Sequence, residues 1–339
     1  MSSAPPAIAL DHVTKIYSRG YAAVSDLSLT IEPGEVLVLV GTSGSGKTTT
    51  MKMINRLEEP TSGTIRIGGR NIRDIDPIQL RRSIGYVIQE IGLFPHMTVA
   101  KNIALVPSLK GWPKSRQAER VAKLLDLIGL PSAEYGDKHP HQLSGGQKQR
   151  VGVARALAGD PDILLMDEPF GALDPITRGQ LHDEFLKLQS RLRKTIVFVT
   201  HDMVEAIRLA DRMAVMDGGR LLQAATPREV LAHPATPRVA DLVGADVTFK
   251  LLAVCRVEQA LEPLCGVTLE PKPPPIRSDD TLKDALLAMI ASGQSTLHVV
   301  DSGGIRCGQI TLHGLQRVLA HQAQDHPLEA AEPGAVSTT

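Results

Sequence analysis

The chain has 339 residues, 42% of them hydrophobic and 22% charged, which fits a globular protein of about two domains. Lys plus Arg and Asp plus Glu are both 37, and aromatic residues make up 3%. Zero net charge and so few rings argue against a nucleic-acid partner, and no apolar run approaches the roughly 18 residues that a membrane helix needs. The opening MSSAPPAIALDHV has neither the basic nor the apolar region of a secretory signal. Cys255, Cys265 and Cys307 form no CxxC pair and are expected to be reduced thiols.

In chain order, residues 8–31 alternate apolar and polar side chains in IALDHVTKIY and VSDLSLTI, predicting an antiparallel layer. EVLVLVG (35–41) is a continuous apolar run, the pattern of a strand buried on both faces. Residues 47–57 have helical periodicity, and IRIGG (65–69) and IGYVIQ (84–89) predict further strands. Residues 97–160 are mostly helical, including SRQAERVAKLLDLIGL with its glycine stop. DILLMDE (162–168) and TIVFVTH (195–201) are short apolar strands around a helix at 176–193, which implies a parallel α/β sheet. RMAVMDGGRLLQAAT reads as a closing hairpin and PREVLAH as a short helix.

Beyond about residue 244 the pattern weakens, and PKPPP (271–275) reads as a stiff linker. TLKDALLAMIASG, TLHVVD, CGQITL and HGLQRVLAH then predict a small helix–strand–strand–helix unit. The end of the chain, HPLEAAEPGAVSTT, reads as a disordered tail.

GTSGSGKT (41–48) fits a phosphate loop, G-x-x-x-x-G-K-[ST], and has the strand before it and helix after it that such a loop requires. Glycines let backbone N–H groups turn onto an anion, and the helix N-terminus adds positive potential. Lys47 is placed to meet the β and γ phosphate oxygens, Thr48 to ligate Mg²⁺ and Thr49 to donate to a phosphate. ILLMDEP (163–169) delivers two acids to a strand's C-terminal end, where ligands of open α/β sheets sit. Asp167 is expected to hold Mg²⁺ through its water shell, and Glu168 to orient or deprotonate an attacking water. LSGGQKQR (143–150) has a Gly-Gly step at the mouth of a helix and no nucleophile–base pair of its own.

The order GxxxxGKT, LSGGQ, ILLMDE, GALD, FVTH resembles the ABC-transporter ATPase family over residues 8–243. The resemblance implies an α/β fold of the ABC-type P-loop NTPase class: a RecA-like core, an antiparallel β subdomain and a helical subdomain. It implies that Tyr17 stacks on adenine, that Gly41, Thr42, Ser43, Gly44, Ser45, Gly46, Lys47, Thr48 and Thr49 cradle ATP, and that Thr48, Gln89 and Asp167 meet the metal. Glu168, His201, Gln89 and Lys47 are then the catalytic set, with His201 on the γ-phosphate. Ser144, Gly145, Gly146 and Gln147 would close on ATP bound by a second copy of the chain, with Asp174 at the seam. Lys148 and Arg150 are expected to be solvated or structural.

The stretch 90–114 follows Gln89, and in the family this region receives a helix of the membrane permease. Ile91, Leu93 and Phe94 would either line that groove or belong to subdomain core. The wording of the stretch is most similar to ATPases of quaternary-amine importers for glycine betaine, choline or carnitine, which work with a periplasmic or lipid-anchored solute-binding protein. An importer ATPase for proline, another amino acid or a polyamine is the nearest alternative. A non-transport ABC ATPase is the more distant alternative, since such proteins usually carry two cassettes or a long coiled-coil insertion and neither is read in this sequence. The expected place is the cytoplasmic side of the plasma membrane. Residues 276–322 resemble a single CBS domain, preceded by a linker and degenerate segment (244–275) and followed by the tail (323–339).

Overall fold

A computed structural model describes residues 5–18, 20–89, 92–171, 175–244, 247–263 and 275–324. The chain separates into two compact units, one reaching Thr226 and one starting at Pro227.

The first unit opens with β1 (Ile8–Ile16) antiparallel to β2 (Ala22–Ile31), Ile8 facing Ile31 and Leu10 facing Leu29. His12 takes φ 49° and breaks the register there, so Leu10 and Val13, three residues apart, are both buried. β3 (Val36–Val40) is buried at every position, as its uniform apolar run predicts. After α1 (Lys47–Ile54) come β4 (Ser62–Ile67) and β5 (Arg70–Asn71), which complete a four-stranded sheet of order β2-β1-β4-β5. α2 (Pro77–Ser83) begins where the Asp76 carboxylate accepts from the Gln79 amide and proline occupies the first turn.

β6 (Ile84–Val87) leads to the helical stretch: α3 (Val99–Leu109), α4 (Lys114–Leu127), α5 (Ser132–Tyr135) and α6 (Gly145–Ala158). Then strands and helices alternate through β7 (Ile163–Asp167), α7 (Pro175–Leu192), β8 (Thr195–Thr200), α8 (Met203–Leu209) and the hairpin β9 (Arg212–Asp217) and β10 (Arg220–Ala225). The described strands form a second sheet of order β10-β9-β3-β8-β7-β6, parallel except for β10. Ile8, Leu27 and Ile65 of the first sheet share one core with Leu37, Val197 and Met216 of the second. Pairing of Val40 with Thr200 and of Asp167 with Val199 brings the C-terminal ends of β3, β8 and β7 side by side.

Asn102, fully buried on α3, holds the 94–98 turn. Its Oδ1 accepts from the Phe94 amide (2.8 Å), and its Nδ2 reaches the carbonyls of Phe94, Met97 and Thr98 at 3.0–3.2 Å. Phe94 itself is 40% exposed, so it is not subdomain core; Leu93 is half-buried and Ile91 lies outside the described residues.

The second unit contains α9 (Pro227–Ala232), α10 (Pro237–Val243), α11 (Val247–Val254), β11 (Ile276–Arg277), α12 (Leu282–Ser292), β12 (Thr296–Val300), β13 (Arg306–Thr311) and α13 (Leu312–Gln324). β12 pairs in parallel with β11 and antiparallel with β13. Thr281 and Asp284 cap α12 reciprocally, and Gly293 ends it with φ 66°. The 244–275 stretch, read as a linker and degenerate segment, carries regular structure over part of its described residues. Residues 247–254 form α11, and Leu252, Cys255, Val257 and Ala260 pack into the same core as Leu282, Leu297 and Ile310. Glu262 then pairs with Gln309 through both backbone bonds (2.8 and 3.0 Å). The apolar positions alone are too irregular to betray a helix whose buried face is defined by the helices α9, α12 and α13 it packs against. Residues 264–274, including Cys265 and most of PKPPP, lie outside the described residues, as do 325–339. No helix among the described residues is long and apolar enough to cross a membrane.

Replacing Asn102 with Ala removes the buried side chain that accepts from the partly buried Phe94 amide and donates to three carbonyls of the turn, and should lower unfolding stability by about 2 kcal/mol, read as a fall in the urea midpoint at unchanged slope.

Candidate functional site

The loop after β3 is shaped by two close backbone approaches. A Cβ at Gly46 (φ 98°) would lie 2.4 Å from the Ala23 carbonyl oxygen, and one at Gly41 would lie 2.0 Å from that of Met216. Both positions therefore require glycine, and the loop is pinned between β2 and β9. Tertiary bonds fix its rim: Thr42 Oγ1 donates to Asp217 Oδ1 (3.0 Å), and the Tyr21 hydroxyl donates to the Gly44 carbonyl (3.4 Å). Neither Asp217 nor Tyr21 was legible from the sequence. The one signal was that Asp217 opens a Gly-Gly turn and Tyr21 follows Tyr17 by four residues.

Lys47 opens α1 and is buried. Its ammonium donates to the carbonyls of Gly41 (2.9 Å) and Thr42 (2.8 Å) and to Ser45 Oγ (3.3 Å). Burial pushes its pKa below the ordinary lysine range, while the Glu168 and Asp167 carboxylates pull the other way. Asp167, at the buried end of β7, accepts from Thr48 Oγ1 at 3.0 Å. Burial raises its pKa above the usual carboxylate value; the Thr48 hydroxyl opposes this and the Glu168 charge adds to it. The neighbouring Tyr86 phenol is pushed up to about 12, first by burial and then by Asp167.

Glu168 has φ 43°, a left-handed conformation that costs a non-glycine residue of order 1 kcal/mol. Its amide donates to the Val199 carbonyl (3.0 Å), and its own carbonyl accepts from Gly171 (3.2 Å). The turn sets the carboxylate between Gln89, whose Nε2 donates to Oε2 (3.3 Å), and His201, whose Nδ1 is 3.3 Å from Oε1. Six predicted residues from four elements thus meet at one strand-end cluster: Lys47, Thr48, Gln89, Asp167, Glu168 and His201.

Tyr17 is half-buried and joins the loop through Tyr21, to whose carbonyl its amide donates at 2.9 Å. One side of its ring faces the Lys15 ammonium, 5.0 Å from the centroid; that lysine is held by Glu58 and the Glu59 carbonyl. The LSGGQ residues stand elsewhere. Ser144 caps α6, its Oγ accepting from the Gln147 amide (3.3 Å) while Gln147 Oε1 accepts from the Ser144 amide (3.0 Å). Gln147 Nε2 donates to the Tyr135 hydroxyl (3.3 Å), and no described hydrogen bond of Ser144 or Gln147 reaches the phosphate loop. Arg150 pairs with Glu184 (2.6 Å), a structural role as expected. Asp174 lies outside the described residues.

The ABC transporter family model matches residues 24–171. The glycine betaine/carnitine/choline transport ATP-binding protein OpuCA of Bacillus subtilis is 49% identical over 89% of this chain and 77% of its own. The glycine betaine uptake system ATP-binding protein YehX of Escherichia coli is 47% identical over 90% of this chain and 97% of its own. Among solved structures, the dimeric post-hydrolysis state of the ATP-binding cassette MJ0796 bound to ADP and Pi superposes with TM-score 0.58 at 34% identity, covering 65% of this chain and 98% of that one.

A raised native pKa means the folded chain binds more protons than the unfolded one across the interval above the ordinary aspartate value. Asp167 therefore stabilises in acid and loses that contribution as pH rises through its native pKa. Replacing Asp167 with Asn, which keeps an acceptor for Thr48, should raise the urea midpoint of the nucleotide-free chain at neutral pH. The gain should shrink as pH is lowered towards 4 (about the ordinary aspartate value); a pH-independent difference would assign it to something other than the buried charge.

Proposed function

The chain belongs to the ATP-binding subunits of ABC transporters, of the glycine betaine/choline/carnitine importer type, and on that premise we propose that it hydrolyses ATP between two copies of itself to drive uptake of a quaternary-amine osmoprotectant. The observation that carries the catalytic reading is the convergence of Lys47, Thr48, Gln89, Asp167, Glu168 and His201 on the C-terminal ends of β3, β7 and β8. The cargo class rests on the relatives named above.

Each residue has a role that follows from its surroundings. The Lys47 ammonium leaves the loop carbonyls for the β and γ phosphates; the adjacent carboxylates oppose the effect of burial on its charge. Backbone N–H groups of 41–49 and the N-terminus of α1 receive the remaining phosphate charge. Tyr17 offers the ring side away from Lys15 to adenine. Thr48 Oγ1 and Asp167, already 3.0 Å apart, are the residues that would hold Mg²⁺ with Gln89 nearby, and they fit it: a hydroxyl and a carboxylate leave most of an octahedral shell to phosphate oxygens and water. The bound ion would neutralise phosphate charge. Glu168, fixed by its turn and by Gln89 and His201, holds a water in line with the γ-phosphorus and takes its proton as the new P–O bond forms and the β–γ bridge breaks. His201 meets the γ-phosphate.

One copy holds the cradle but keeps Ser144–Gln147 away from it. The helix mouth of α6 would close on the ATP of a second copy, with Asp174 at the seam. Phe94, exposed on a turn that Asn102 makes rigid, suits contact with a membrane-spanning permease. A periplasmic or lipid-anchored binding protein would deliver the solute, and this chain would act at the cytoplasmic face. The β11-β12-β13 sheet with α12 and α13 supports a CBS-like reading of residues 276–322, with regulation as its role.

Replacing Glu168 with Gln should leave ATP binding intact and slow steady phosphate release by at least about a hundredfold. Near-normal turnover would remove Glu168 as the base. Chains carrying Lys47→Ala and chains carrying Ser144→Arg, each inactive alone, should regain hydrolysis on mixing, because one composite site is then intact. No recovery would count against the head-to-tail pair.

A further inference from the structure

A cleft of about 260 Å³ opens between the C-terminal end of α4, the early turns of α6, and α7. Its wall is mainly apolar and includes Leu127, Val153 and Leu181, with the rings of Phe170 and Phe185 set 6.2 Å apart at 75°. Gln149 also lines it. That side chain is 3% exposed, and its Nε2 has no hydrogen-bond partner among the described residues. A buried amide donor left unmatched costs about 1–3 kcal/mol, and so calls for an acceptor.

The charges at the rim narrow the choice. Asp126, Arg150, Glu184 and Lys187 sum to zero. Arg150 is engaged by Glu184 (2.6 Å) and by the Ile128 carbonyl (3.4 Å). Asp126 and Lys187 are in no ion pair among the described residues. The carbonyl end of α4 adds negative potential on the Asp126 side. A fitting ligand is therefore neutral overall, carries an acceptor for Gln149, and has a positive end at ease against aromatic and aliphatic carbon. A primary ammonium could turn only part of its three N–H donors to Asp126 and the α4 carbonyls, and would leave the rest against the apolar wall. A quaternary ammonium has none, and its methyl groups and diffuse charge suit phenyl faces.

We propose that this cleft binds a small quaternary-ammonium carboxylate and that its occupancy slows ATP hydrolysis, so that accumulated product restrains its own uptake. The choice of solute rests on the cargo reading above. The coupling is local: α6 carries Ser144 at its N-terminus, and Phe170 follows Glu168 by two residues, so an occupant fixes the spacing between two parts of the ATP machinery.

Equilibrium dialysis of the full chain against radiolabelled glycine betaine should show saturable binding of one solute per chain. Gln149→Leu should weaken it about tenfold, the loss expected for one hydrogen bond to a charged group, and Asp126→Asn, which removes the negative charge facing the ammonium without removing a hydrogen bond, should weaken it about as much. Val153→Phe, which fills the cleft, should abolish it, with folding of all three checked by thermal denaturation. Glycine betaine should lower ATPase turnover of the wild-type chain and leave the Val153→Phe variant unaffected, whereas sucrose at equal osmolality and equimolar glycine should do neither. Sucrose separates binding from the general exclusion of osmolytes from protein surfaces. Non-saturable uptake, equal binding by all three variants, or a response that sucrose reproduces would overturn the proposal. Uptake by the assembled transporter is measured in parallel: intact glycine betaine transport with no dialysis signal sinks the cleft alone, and absent transport sinks the cargo reading alone.

Discussion

Backbone pairing of three buried parallel strands is the constraint on which the rest depends. β3, β8 and β7 lie side by side in fixed register, so the residues that follow Val40, Met166 and Thr200 are delivered to one place. Parallel strands emit their loops at the same edge, and that edge is where an α/β sheet gathers functional groups. Lys47, Asp167 and His201 are far apart in sequence and adjacent in space for this reason. The left-handed turn at Glu168 is the local cost of aiming a carboxylate out of that edge, held by the bond to Val199.

The cluster is electrostatically unfinished. Burial disfavours the charge on Lys47 and on Asp167 alike. Lys47 turns to carbonyls of its own loop, and Asp167 to a single hydroxyl. These are makeshift partners: hydrogen bonds to dipoles, in a low-dielectric setting where opposite charges are worth more. On the function proposed above, a polyphosphate with its cation would add opposite charge beside both groups, so that binding and relief of burial would be the same event. The two glycines pinned against Ala23 and Met216 keep the cradle open for it.

Incompleteness also explains the fold's outer parts. The capping box of α6 pairs the Ser144 and Gln147 amides with each other's side chains, which holds the helix mouth within a single chain and suits its proposed use by another. Nε2 of Gln149, one turn further along the same helix, has no hydrogen-bond partner among the described residues, and that residue lines the cleft shared with Phe170 and α7. In the second unit, α11 and the turn at 257–260 complete a core that the strands and α12 would otherwise leave open.

By itself the sequence determined the phosphate loop, the Asp-Glu strand end, the Gly-Gly helix mouth and nearly every strand of the first unit. These are local signals: glycine where backbone must approach, and apolar runs whose period matches the element. It also carried the family resemblance, because short motifs in a fixed order need no coordinates. What only the tertiary structure decided were interactions between distant segments. Thr42 with Asp217, Tyr21 over Gly44, Asn102 inside the 94–98 turn, α11 against α9 and α12 and the unpartnered Nε2 of Gln149 leave no periodic trace, because each depends on which groups a remote piece of the chain brings within reach.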